Sequence, residues 1–269
     1  MTDVMSSGRK AADSPVMTFL ARFGLLSRGF VYLVIGWLTL KIALGHGKEQ
    51  ANQQGALADV ARHSNGKLLL WVLGFGFAAY AIWRLSQAAF GTATDGPKAG
   101  PRVQALVRGL VYAGFSFMTF SFIAGTSHQS QARQQASLTA RVMRHDYGRW
   151  LVGLVGAIVI VVGVAQVIEG VTRKFEKQLQ MATARDTTRK VVTRLGLVGT
   201  VTRGLVFVVA GFLVVDAAVT FDPKKSTGLD GALRTLAHQP FGPWLLAALA
   251  VGLIAFGLYG LASARYAKT

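Results

Sequence analysis

Three histidines, His63, His145 and His238, stand three, three and four residues before a glycine that closes three loops of similar sequence. If those loops fold against one axis, the imidazoles form a ring at the outer face, and three nitrogens are a competent set for zinc. The surroundings favour interfacial polar residues instead. Four residues upstream stand Asp59, Arg141 and Arg234, so two cations would flank a bound cation and no repeated carboxylate would orient the rings. No metal or cofactor is expected. Cysteine is absent, which removes thiolate ligands, disulfides and cysteine nucleophiles.

A second column is cationic. Arg28, Arg108 and Arg203 each precede a glycine and an apolar run, in RGFVYLVIG, RGLVYAGFS and RGLVFVVAG. A helix beginning at such an arginine sets a cation against the positive end of its dipole, so that field cannot be what favours it. One role is topological, with the stem in the acyl boundary, the head among lipid phosphates and the glycine permitting close helix contact. The other is chemical, with three guanidiniums converging to hold an anionic lipid headgroup or another phosphate through paired hydrogen bonds.

Thirteen residues after each arginine stand Lys41, Ser121 and Asp216, about 20 Å further along a helix rising ~1.5 Å per residue. Ions in an apolar layer are paired or line a wet cavity. The expectation is an intramembrane polar layer in which Lys41 approaches Asp216 and Ser121 is the neutral third member. Arg84 and Glu169, near the ends of their apolar runs, read as solvated interfacial residues, and the tryptophans and tyrosines as a belt. No GxSxG, HExxH, Walker or dinucleotide fingerprint occurs, and Gly74 with Gly76 falls inside an apolar run.

Six runs of about twenty mostly apolar residues must position these columns, near residues 29–46, 67–90, 109–127, 149–170, 204–221 and 243–263. With 52% hydrophobic and 15% charged residues in a chain of 269, a multi-pass membrane protein is indicated. The opening MTDVMSSGRKAADSP reads as a polar tail rather than a signal peptide. The formal charge of +17 carries no basic stripe on a soluble domain, so no nucleic-acid partner is expected. Most of the basic residues fall on the side that would hold both termini, which places both in the cytoplasm of a bacterial inner membrane.

Aligning the arginines also aligns GALADVARHSNG, QASLTARVMRHDYG and DGALRTLAHQPFG, each with apolar residues at helical spacing. The unit is helix, loop with a short interfacial helix, helix. The chain divides into a polar tail (1–17), repeat one (18–92), repeat two (100–171), a basic linker (172–193) and repeat three (194–265). The expected fold is an all-α membrane protein, six transmembrane helices as three parallel two-helix repeats around a pseudo-threefold axis.

These three copies resemble the bacterial membrane family known as domain of unknown function 1206, over roughly residues 20–265. The second copy departs most: Ser116 replaces Gly36 and Gly211, and Gln104 replaces Gly24 and Gly199. The resemblance implies six membrane helices and supplies no activity or catalytic residues to carry over. The expected function is a non-enzymatic component that binds membrane lipids or a membrane partner protein. A solute or ion pathway along the axis and an outer-face enzyme acting on lipid are the alternatives.

Overall fold

The computed structural model describes residues 15–46, 50–91, 99–125, 131–179, 185–226 and 228–266. Residues 1–14 of the expected polar tail and 180–184 of the basic linker lie outside them. The described chain is helical: α1 (Pro15–Ala43), α2 (Gln53–Ala61), α3 (Gly66–Phe90), α4 (Ala99–Ile123), α5 (Gln131–Met143), α6 (Gly148–Val171), α7 (Asp186–Thr220), α8 (Gly228–Ala237) and α9 (Gly242–Tyr266). Helices α1, α3, α4, α6, α7 and α9 are long and apolar enough to cross a membrane. The short α2, α5 and α8 lie in the three loops between paired spans.

Helices α3, α6 and α9 begin at the three loop-closing glycines. A Cβ at Gly66, Gly148 or Gly242 would run into the carbonyl oxygen of Val60, Val142 or Ala237, so the turn from loop helix to span needs glycine each time. The first span of each unit starts earlier than its apolar run. Arg28 lies thirteen residues into α1, Arg108 nine into α4 and Arg203 seventeen into α7. Pro15 opens α1, and Asp186 sits in the first turn of α7, where a carboxylate suits the dipole. The arginines are therefore interior to their helices, more than a turn from any terminus, and the dipole objection does not apply.

The tightest seams join units rather than the halves of one unit: α3 packs along α4, α6 along α7 and α9 along α1. Each uses the glycine after the arginine. Gly29 abuts Gly257 and Leu261, Gly109 abuts Leu85, and Gly204 abuts Gly163 and Val167, all closely enough that a Cβ would overlap them. Where Gly36 meets Ile254 and Gly211 meets Ile160, the departure Ser116 instead donates a hydrogen bond to the Gly74 carbonyl at 2.9 Å.

Within units, α1 meets α3 and α7 meets α9, but α4 and α6 scarcely touch. Gly24 sits against the Tyr80 backbone, Gly199 against Phe256, Gly76 against Ser27 and Gly252 against Thr202. The equivalent positions of the second unit are Gln104, Val162, Ile158 and Val107. Side chains of that bulk cannot reproduce a small-residue contact, so this hairpin stands open.

On the loop side, Asp230 is buried and accepts hydrogen bonds from the Ala51 amide at 2.8 Å and from Arg234 Nε at 3.0 Å, tying the first loop to the third. Asp230→Ala strands a buried amide, and we expect a loss of about 1–3 kcal/mol, read as a lower melting temperature of the detergent-purified protein. An unchanged melt would show that the clamp is solvent-replaced.

Candidate functional site

The helices just described bring two arginines of the repeated column onto one aromatic ring. The Arg28 guanidinium lies 4.8 Å and that of Arg203 5.1 Å from the centre of Phe256. Arg28 Nη1 also donates to Tyr80 Oη at 3.2 Å, while its buried Nε has no hydrogen-bond partner. Arg203 Nε donates to Tyr32 Oη at 2.8 Å, and its guanidinium stacks 5.1 Å from Phe207. Arg108 lies within electrostatic range of Arg84, Arg28, Tyr80 and Glu169 and makes no hydrogen bond among the described residues.

Arg84 joins this group, although it reads as solvated in the sequence. Its Nε donates to Tyr80 Oη at 3.1 Å, its Nη1 to Gln87 Oε1 at 2.8 Å, and it stacks 4.2 Å from Trp83. The signal for it was Tyr80 four residues earlier, a spacing that puts both on one helix face. Tyr32, Tyr112, Tyr259 and Trp83 are likewise buried rather than part of an interfacial belt. Trp37, Trp71, Trp150 and Trp244 are exposed, the last two at the starts of α6 and α9.

The cluster is electrostatically unfinished. Each aromatic face contributes about 0.5–2 kcal/mol to a stacked cation, which stabilises these guanidiniums without neutralising them. Among the described residues, the carboxylate within electrostatic range of Arg108 is Glu169. None of Arg28, Arg108 and Arg203 forms an ion pair among the described residues. Guanidinium groups gathered in one region without a bonded carboxylate are suited to an oxyanion.

Arg203 also faces a cavity. Between α4 and α6, where the second hairpin stands open, lies a crevice of about 510 Å³, within the roughly 300–1,000 Å³ of small-molecule sites. Its walls are apolar, among them Val111, Phe115, Val155 and Phe207. Arg203, Tyr32 and Tyr112 line one end, and α5 with Ser226 covers the other. Thr139 Oγ1 on α5 donates to Ser226 Oγ at 3.1 Å.

The other two columns do not gather. Lys41 pairs with Asp59 at 3.9 Å and Asp216 with Lys225 at 2.7 Å, so the expected approach of Lys41 to Asp216 is not what the fold makes. The reason is length. α1 ends two residues after Lys41, α4 two after Ser121 and α7 four after Asp216, which puts Lys41 and Asp216 beside their own loops. His63, His145 and His238 are exposed, and His63 Nδ1 and His238 Nδ1 lie 3.0 and 2.7 Å from the carbonyls of Asp59 and Arg234 on their own helices. Among the described residues, no cluster of His, Asp or Glu has a geometry that could hold a metal ion.

Comparison with known proteins adds a family. The family model described as Domain of Unknown Function (DUF1206) matches this chain three times, over residues 23–91, 103–173 and 198–267. The chain has the internal threefold repeat those matches describe. It is 30% identical over 260 residues to Uncharacterized protein YxxB of Bacillus subtilis (strain 168), an alignment covering 96% of this chain and 94% of that protein. No solved structure matches.

Proposed function

This chain belongs to the family described as Domain of Unknown Function (DUF1206), and on that premise we propose that it is a non-enzymatic membrane protein that binds a phosphate-bearing anion through Arg28, Arg108 and Arg203. The observation that carries the reading is the surplus of part-buried guanidinium groups that lack a carboxylate partner among the described residues. Arg28 and Arg203 share the Phe256 ring, Arg108 lies within electrostatic range of Arg28 and Arg84, and among the described residues no carboxylate bonds to any of the repeated three. A part-buried ion without a counter-charge has given up hydration that nothing replaces, so an anion that completes the cluster gains that compensation.

In this reading the three units surround a pseudo-threefold axis along the membrane normal. The recurrence of one glycine column at the α3–α4, α6–α7 and α9–α1 seams supports it. Both termini lie in the cytoplasm of a bacterial inner membrane, a reading supported by the basic bias of the terminal side.

Native mass spectrometry of the detergent-purified protein, with phosphorus analysis, tests the binding. Wild type is expected to carry one phosphate-bearing species that is lost when Arg28, Arg108 and Arg203 are replaced together by Gln. A folded triple variant that retains the species at the same occupancy overturns the reading, as does a wild-type protein that purifies empty and is not stabilised by added anionic lipid.

A further inference from the structure

We infer that the crevice between α4 and α6 seats one acyl chain of an anionic membrane lipid, with the headgroup phosphate on Arg203. This rests on the anion-binding reading above and adds the chemical class of the ligand. Three features of the crevice point to a lipid tail. Arg203 is the one charged side chain lining it among the described residues, and it stands at one end. Its Nε is taken by Tyr32, and its terminal nitrogens have no hydrogen-bond partner there, so two donors remain for a phosphate oxygen pair.

The second feature is length. The wall contributed by α7 runs from Arg203 through Phe207 and Ala210 to Val214, about 16 Å at ~1.5 Å per residue. That is close to half of a hydrocarbon core of roughly 30 Å, the depth of one leaflet's chains. A headgroup at Arg203 and a tail along this wall is the orientation a lipid has in the leaflet nearer the arginines.

The third is access. Val111 on α4 and Leu151 and Val155 on α6, which line the crevice, are themselves exposed and apolar, so it opens sideways between these helices to the acyl region, while Gln53, Gln135, Thr139 and Ser226 line its loop-side end. A soluble anion has no chain to set against that apolar wall, whereas a lipid slides in laterally with its chain in hydrocarbon throughout. The crevice lies in the second unit, where Gln104, Val107, Ile158 and Val162 replace the small residues and aromatics that close the first and third hairpins.

The test uses the full chain in a neutral detergent and two probes, palmitoyl lysophosphatidylglycerol and its chainless counterpart glycerol 3-phosphate, followed by native mass spectrometry and thermal shift. Val155→Trp and, separately, Val111→Trp fill the crevice from opposite walls; Arg203→Gln removes the headgroup contact. The lysolipid is expected to bind wild type at least about tenfold more tightly than the chainless probe, and to lose about tenfold or more with each tryptophan and with Arg203→Gln. Circular dichroism identifies whichever tryptophan variant is folded, and that variant decides.

Full lysolipid affinity in a folded tryptophan variant, with loss in Arg203→Gln, overturns the chain site and leaves the anion reading standing. Equal binding of both probes identifies a free phosphate as the ligand and also overturns the chain site. Full affinity in Arg203→Gln overturns both, as does a wild type that binds neither probe. A second polypeptide occupying the crevice would appear as a co-purifying mass with no lysolipid uptake, and that too overturns the proposal.

Discussion

Gly204→Leu is expected to leave little or no folded protein, whereas Gly114→Leu is expected to be nearly silent. Both glycines lie in the apolar part of a first span, and the sequence does not separate them. In the fold, a Cβ at Gly204 would stand 2.7 Å from the Gly163 carbonyl oxygen and 2.9 Å from the Val167 amide. Those are backbone atoms of α6, which cannot swing aside as a flexible side chain would. Overpacking a core that can partly relax costs about 1–3 kcal/mol. Here the whole α6–α7 seam must spread, so the cost exceeds that range. A Cβ at Gly114 meets nothing within 4 Å, and a leucine there faces lipid. Fluorescence-detected size exclusion and thermal melting read the difference. A Gly204→Leu protein that elutes and melts like wild type would show that the seam is looser than its geometry.

Arg108→Gln is expected to raise the melting temperature of the lipid-stripped protein while removing its stabilisation by an anionic lipid. Arg108 has no hydrogen bond among the described residues and lies in the field of two like charges, Arg84 and Arg28, with one carboxylate, Glu169, nearby. Replacing a half-buried charge that lacks compensation with a neutral group of similar size is worth on the order of 1–3 kcal/mol. Wild type should recover the difference on binding, since a ligand at a hundred times its dissociation constant contributes about 2.7 kcal/mol. The crossing of the two melting curves with added lysophosphatidylglycerol is the diagnostic result. If the empty variant melts below wild type, Arg108 is structural and the cluster is already complete without an anion. A stability cost that ligand binding removes is what a binding site, as opposed to a packing motif, should show.

Much of the architecture was legible along the chain. Period, length and apolarity mark six spans because a helix in lipid must satisfy its backbone internally and show hydrocarbon outward, and both demands are local. The repeat is legible for a related reason: the same loop turn and the same seam contact recur, so Gly66, Gly148 and Gly242, and again Gly29, Gly109 and Gly204, recur with them. The arginine column was legible too, as was the oddity of Gln104 and Ser116. Helix starts were not, because Pro15–Ser27 and Asp186–Thr202 mix polar with apolar residues and become helical by packing on α3 and α9, a contact distant in sequence.

What the sequence by itself determined is therefore the set of parts: six membrane helices, three copies of one unit, a glycine where each turn must be tight, and an arginine at the same place in every copy. The tertiary structure alone decided which parts meet. It put Arg28 and Arg203 on one ring of α9, drew Arg84 in from a helix end, and held Lys41 and Asp216 apart beside their own loops. It also turned four departures in the second unit into an open hairpin with a crevice. The physical reason is that burial, pairing and close approach belong to pairs of helices. A glycine or an arginine carries no mark of the neighbour it will face until the seams that close the fold are made.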